Sequence, residues 1–257
     1  MRRAAVATAV VASVSAISAV YAMRVSPMVV EMTTTGTDAT ARVEVQNMNS
    51  GNLAFETRIT QVEFDAAGHT TETPADGDFI VFPPQGVLPQ GGRQVVRLQW
   101  AGPTDMPTSR AYYLSVNQLP VAVDQAGGAQ VQVVYHMKAL VVVAPPGATP
   151  NVTTESAKPI DYQPPAAKQG DPLPPKVPGV EITLKNTGRR HAMMSVLRWV
   201  IEGTDTEGKP MRFIIAPEDL SRVIGSGYVP GGNGVRTYQL PLAKAFGPGP
   251  IKVKFLK

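Results

Sequence analysis

Apolar and polar residues alternate with a period of two along much of the chain after residue 23. Ala41, Val43 and Val45 alternate with Arg42, Glu44 and Gln46. Val96, Leu98 and Trp100 alternate with Val95, Arg97 and Gln99, and Tyr112, Leu114 and Val116 with Tyr113, Ser115 and Asn117. Successive side chains of a strand point to opposite faces, so each run predicts a strand with one core face and one wetter face. Turn residues separate the runs at Asn49-Ser50-Gly51, Ala67-Gly68, Asp76-Gly77, Gln90-Gly91-Gly92 and Gly127-Gly128. Short strands at this spacing predict a sandwich or a barrel, with the immunoglobulin-like sandwich as the favoured form.

The pattern changes between Pro145 and Pro178, where ten prolines fall within 34 residues. Proline donates no ladder hydrogen bond, so this stretch predicts an inter-domain connection followed by an extended, edge-like segment; a disordered linker is the alternative. A second β unit follows. Val180, Ile182 and Leu184 alternate with Glu181, Thr183 and Lys185 up to the turn Asn186-Thr187-Gly188. Strands are expected over Met194–Ile201 and Met211–Ala216, with a loop marked by Glu202-Gly203 and Glu207-Gly208. Pro217-Glu218-Asp219-Leu220 starts a short helix, and Tyr228 to Gly234 reads as a glycine-rich turn. Ile251, Val253 and Phe255 alternate with lysines at the end. The expectation is an all-β chain of two immunoglobulin-like sandwiches, spanning 23–146 and 147–257, the second led in by the proline-rich stretch 145–178.

Composition narrows the function. Arg2 and Arg3 precede an uncharged Ala, Ser and Val-rich run, and Val20-Tyr21-Ala22 offers a small-residue cut, so residues 1–22 are expected to be a signal peptide and Met23 the first mature residue. A membrane anchor is the competing reading; no other segment is apolar enough to cross a bilayer, so the mature protein should not insert stably. The net charge of +4 becomes +2 once Arg2 and Arg3 are removed, with the basic residues scattered, which gives no electrostatic case for nucleic acid. There is no cysteine, so the domains must stand on their cores. His69, His136 and His191 lie far apart with no ligand spacing, and the glycines at 225, 227, 231, 232 and 234 miss the phosphate-binding spacings. No metal, no cofactor and no catalytic site is expected.

The segment Gln130 to Val143 carries the functional reading. Val131, Val133, Tyr135 and Met137 share one face; Val134, Leu140 and Val142 share the other with Lys138. A strand apolar on both faces is either central and fully buried or an edge strand awaiting a partner. An unpaired edge offers main-chain N–H and C=O groups, and a row of apolar side chains, to an incomplete sheet.

Phe79-Ile80-Val81-Phe82-Pro83-Pro84, followed by Leu88, the Gln90-Gly91-Gly92 turn and Val95-Val96-Arg97-Leu98, resembles the central signature of PapD-like periplasmic pilus chaperones. Ser109 to Pro120 is similar to that family's next strand, the start at Val25-Ser26-Pro27 fits, and Leu184 to Gly188 matches loosely in the second domain. The resemblance implies two sandwiches at an angle with a cleft between them. It implies a periplasmic chaperone, not an enzyme, that completes pilus subunits by donating a strand, with pilin subunits and an outer-membrane usher as partners. A self-capping dimer is the corresponding option for the free protein. Val131, Val133, Tyr135 and Met137 then become the donated side chains. The family holds the subunit's C-terminal carboxylate with an arginine and a lysine; here those positions fall near Met28 and on Leu140, which leaves Arg24 and Lys138 as substitutes. Arg97 fits a family arginine whose acidic neighbour is replaced by Ser109. The rival reading is a structural or adhesive immunoglobulin-like surface or pilus component, which predicts a buried final strand.

Overall fold

The computed structural model describes residues 23–120 and 133–257. The expected signal segment 1–22 and the stretch 121–132, which holds Val131, lie outside the described residues. Ten strands build the first domain: β1 (Met23–Ser26), β2 (Val29–Thr33), β3 (Thr40–Asn47), β4 (Leu53–Phe64), β5 (Thr70–Pro74), β6 (Phe79–Phe82), β7 (Gln85–Leu88), β8 (Arg93–Trp100), β9 (Arg110–Leu119) and β10 (His136–Ala144). One sheet runs β1-β3-β8-β6; the other runs β2-β10-β9-β4-β5, with β7 added on β4. The alternating runs do what their period dictates: Val43, Val45, Val96, Leu98, Leu114 and Val116 are fully buried between the sheets. Phe79, Trp100 and Tyr112 meet edge-on within this core, and the Tyr112 hydroxyl donates to Asp78 at 2.7 Å.

At Pro27 the first strand changes sheets. β1 pairs antiparallel with β3, whereas β2 pairs parallel with β10, Val29 opposite Leu140 through Thr33 opposite Ala144. The dipeptide Ser26-Pro27, where proline cannot donate to a ladder, marks the crossing.

The second domain holds β11 (Val152–Tyr162), β12 (Val177–Asn186), β13 (Ala192–Met193), β14 (Arg198–Thr204), β15 (Pro210–Ile215), helix α1 (Pro217–Ile224), β16 (Tyr228–Val229), β17 (Gly234–Pro241) and β18 (Lys252–Leu256). Its sheets are β11-β12-β17 and β15-β14-β18, with a small β13-β16 pair. Their core centres on Trp199, Ile182, Leu184, Ile201 and Leu240. Part of the proline-rich stretch is ordered as expected of an edge: β11 carries Pro159 and pairs only with β12 among the sheet's strands.

Three local expectations change. Met194–Val196 forms a 3-10 turn, and the strand begins only at Arg198. Side-chain bonds favour the turn: Trp199 Nε1 donates to Met194 O at 2.9 Å and Ser195 Oγ to Ser226 O at 2.8 Å. Gly203 lies inside β14, opposite Met211, rather than in a loop; its missing side chain leaves room for the Phe246 ring, which a Cβ would approach to 2.9 Å. Tyr228 and Val229 form a short strand before the glycine-rich turn.

Candidate functional site

β10 lies next to β9 along its length, from His136 opposite Asn117 to Val143 opposite Arg110. On its other side β2 reaches only as far as Leu140. The Leu140 N–H donates to Met28 O at 2.9 Å, while Tyr135 O accepts from Gln118 N on the β9 side, also at 2.9 Å. Main-chain groups of alternate residues point to alternate edges. The N–H and C=O of His136 and Lys138 therefore continue the Leu140 line, where no described strand pairs with them. Half of this strand is closed on both edges and half is open on one.

The side chains grade in the same direction. Ala139, Val141 and Val143 are fully buried in the first core. Met137 and Tyr135, on the same face, are half-buried against that core, and Val133 is 60% exposed. The row thus leaves the sandwich at its open end. Tyr135 and Met137 stand on the predicted common face with Val133, but they are not free of their own domain; Val131 lies outside the described residues.

The opposite face explains the two-sided apolarity. Leu140 and Val142 pack with Val62, Ala111 and Tyr228, together with Phe64, Tyr113 and Met193, in a cluster between the two domains. Arg189 and His191 fasten that seam. The Arg189 guanidinium donates to Pro107 O at 2.8 Å and Met106 O at 3.0 Å, and His191 N donates to Ser109 Oγ at 2.8 Å. Ser109, expected beside Arg97, is occupied here instead. On β2, Glu31 forms an ion pair with Arg190 and lies 3.8 Å from the buried His191 Nε2. The His191 imidazole and, after it, the Arg190 guanidinium hold the Glu31 carboxyl down to about 2, against the raising effect of burial. The β4–β5 hairpin adds a main-chain bond, Thr237 N to Ala66 O at 2.7 Å.

Lys138 lies on this same cleft-side face. Its Nζ donates to Glu72 at 2.6 Å and sits 5.4 Å from the Tyr113 ring centroid. Tyr113 meets Phe64 edge-on, and the Arg236 guanidinium lies 5.3 Å from the Phe64 centroid. Lys138 from the first domain and Arg236 from the second therefore bracket one aromatic pair. Arg236 fits closely because Gly68 has no side chain; a Cβ there would come within 2.6 Å of its guanidinium. Arg24 is elsewhere. It is exposed on β1 opposite Gln46, on the far side of the core from Lys138, because the chain crosses between sheets at Pro27. The assumption of one regular strand from Arg24 to Met28 fails there, and the two substitutes are not brought together. Met28 and Leu140, the aligned anchor positions, do meet. Arg236 carried no local signal in the sequence, since its place depends on how the second domain docks.

Residues 23–149 match the pili and flagellar-assembly chaperone family, PapD N-terminal domain. No curated protein matches the chain. Among solved structures, the class 5 fimbriae chaperone CfaA superposes with TM-score 0.53 at 11% identity, covering 91% of this chain and 99% of that one. A chaperone–tip adhesin complex of CFA/I fimbriae biogenesis gives TM-score 0.51 at 10% identity, covering 91% and 98%. The Salmonella enterica SafB chaperone in complex with SafA pilin gives TM-score 0.50 at 14% identity, covering 93% and 98%. These likenesses show a shared two-domain fold. Through its first domain, the chain belongs to the PapD-like pilus-assembly chaperones.

Proposed function

We propose that the protein is a periplasmic chaperone of a chaperone–usher pathway that captures pilin subunits by donor-strand complementation. The observation that supports this is the half-open β10: main-chain groups of His136 and Lys138 without a partner strand among the described residues, beside an apolar row that emerges from the core toward Val133. A subunit lacking its last strand would gain a ladder from that edge and apolar cover from Val131, Val133, Tyr135 and Met137. Lys138 and Arg236, flanking Tyr113 and Phe64, are the groups positioned to take the subunit's terminal carboxylate; Arg24 is too far round the sandwich. The usher takes over the loaded complex, and the free protein covers its edge by dimerising. Export through residues 1–22 places this chemistry in the periplasm.

Amide exchange tests the reading. In the complex with a pilin subunit, the His136 and Lys138 amides should become protected, and in the free monomer they should exchange openly. Equal exchange in both states, or no one-to-one complex at all, would favour the alternative of a structural or adhesive pilus component.

A further inference from the structure

The far side of the first domain carries a second arrangement that the strand-donating edge does not use. The outward face of the β1-β3-β8-β6 sheet presents four arginines, Arg24, Arg42, Arg93 and Arg97, and on its strands one carboxylate, Glu44. Glu44 is taken by Arg93 at 3.4 Å. Arg42 and Arg97 stand directly opposite each other across β3 and β8, both exposed, with no ion pair to either among the described residues. Like charges directly opposite across a pair of strands destabilise it. Thr40 and Gln99 form the next row, and these four residues with Ala41 line a recess of about 490 Å³. Phe82 lies opposite Arg97 on the edge strand β6 and is 69% exposed; Ile80, one row along, is 56% exposed, and Val95 on β8 is 45% exposed. Basic and apolar groups are therefore contiguous on one face, whereas exposed apolar residues on a monomer are normally scattered singly.

We propose that Arg42 and Arg97 form a two-arginine receptor for an acidic side chain of a partner protein, held in an extended segment whose apolar residue two positions away, on the same face, packs on Phe82 and Ile80. Charge complementarity selects the partner. Two guanidinium groups side by side can take a carboxylate through paired N–H···O bonds, and Thr40 and Gln99 supply further neutral donors in the recess. The exposed aromatic beside them requires an apolar residue two positions from the acidic one, since only alternate side chains of an extended segment share a face. Pairing of strands along β6 is a poor alternative, since the strand has four residues and Pro83 and Pro84 follow it. The face lies on the opposite side of the core from Lys138 and the interdomain cleft, so a partner bound here leaves the β10 edge free. This inference stands whether or not β10 donates a strand.

The test uses the chain from Met23 to Lys257 and a synthetic peptide that repeats Asp-Ser-Phe-Ser, so that Asp and Phe share one face (the Asp-Phe peptide). The same repeat with Phe replaced by Ser (the Asp-Ser peptide) or Asp replaced by Lys (the Lys-Phe peptide), and inorganic sulfate, serve as controls. Binding is followed by titration calorimetry and by the side-chain NMR signals of Arg42 and Arg97. The Asp-Phe peptide should bind with a salt-dependent affinity and shift both arginines. Arg42→Gln with Arg97→Gln should weaken it by about tenfold or more, the loss expected for charge-assisted bonds to a carboxylate. Phe82→Ser should weaken it while leaving sulfate binding unchanged. The double arginine variant should melt no lower than wild type, because the opposed charges gain nothing from each other. Equal binding of Asp-Ser and Asp-Phe peptides, or shifts with sulfate alone, would reduce the feature to an adventitious ion site. A lower melting temperature or aggregation of the double variant would make the pair structural and overturn the proposal.

Discussion

β10 is one strand with two environments. From Leu140 to Ala144 it is closed by β9 on one side and β2 on the other, and buried on both faces by the two domains. From His136 to Ala139 it keeps β9 but has no described partner on the other edge, and its apolar side chains become progressively more exposed toward Val133. The open half carries His136 and Lys138 where the closed half is aliphatic throughout, yet composition does not by itself open an edge. What separates them is the length of β2, which reaches no farther than a pairing at Leu140. The lesson is that an apolar strand is stabilising or available for binding according to what its neighbours cover.

Substitution should separate the halves. The largest effect is expected in the closed half: Val142→Asp places an unpaired charge in the cluster with Val62, Ala111 and Tyr228, and should cost more than about 4 kcal/mol, leaving little folded protein. Just ahead of the open half, Val133→Asp should leave the melting temperature nearly unchanged, within about 0.5 kcal/mol, and abolish capture of a pilin subunit. Tyr135→Asp belongs between them. The ring packs against the first core, so this variant should lose both stability and binding, and it cannot serve as the clean test of an exposed donor side chain. A Val133→Asp variant that melts far below wild type would erase the distinction between the halves.

A smaller effect is expected from the cations of the cleft. Lys138→Ala and Arg236→Gln should each weaken subunit binding by about 1.5–3 kcal/mol if they share a terminal carboxylate. Arg24→Ala should not weaken it. The exposed Lys138–Glu72 pair should contribute no more than about 1 kcal/mol to folding, so the Lys138 variant should melt close to wild type. Binding that depends on Arg24 instead would require the carboxylate to lie outside the cleft.

Much of this fold is written locally. Each strand whose alternation was clean, such as Val43 and Val45 or Val180, Ile182 and Leu184, buries the face its period assigns. Pro145 stops β10 one residue after Ala144, and Pro217 opens α1. The errors arise where side-chain bonds compete with periodicity, as in the turn that Trp199 and Ser195 stabilise at Met194. The candidate site was only half legible. The two-sided apolarity of β10 is visible in the sequence, but its division into closed and open halves is not, because it depends on a parallel partner more than a hundred residues earlier. The same holds for Arg236 and Arg190, whose roles depend on contacts across the domain seam. The place of Arg24 is likewise not local, because one proline redirects the strand from the sheet of β3 to the sheet of β10.

The pairing of Glu31 with the second domain bears directly on the closed half, since Glu31 lies opposite Val142 on the strand that seals it. Its carboxyl is held at about 2 instead of 4.5 by His191 and then Arg190. A depressed carboxyl contributes its stability fully above its unfolded value and loses it as pH falls through the folded value. The contribution of Glu31 should therefore be complete above pH 4.5 and decline toward pH 2. With the side chain 45% exposed, solvent screening limits this to about 1 kcal/mol. Other carboxylates with lowered values, among them Glu72 and Glu202, also contribute to acid unfolding, so the informative quantity is a difference. Glu31→Gln should be less stable than wild type near neutrality, and the gap should narrow between pH 4.5 and about 2. Urea unfolding of both proteins across that range measures it. A gap independent of pH would mean that Glu31 acts by packing alone. If the gap closes and the Leu140 amide of the variant also exchanges faster, the interdomain ion pair helps hold β2 against β10, and the boundary between the closed and open halves depends on it.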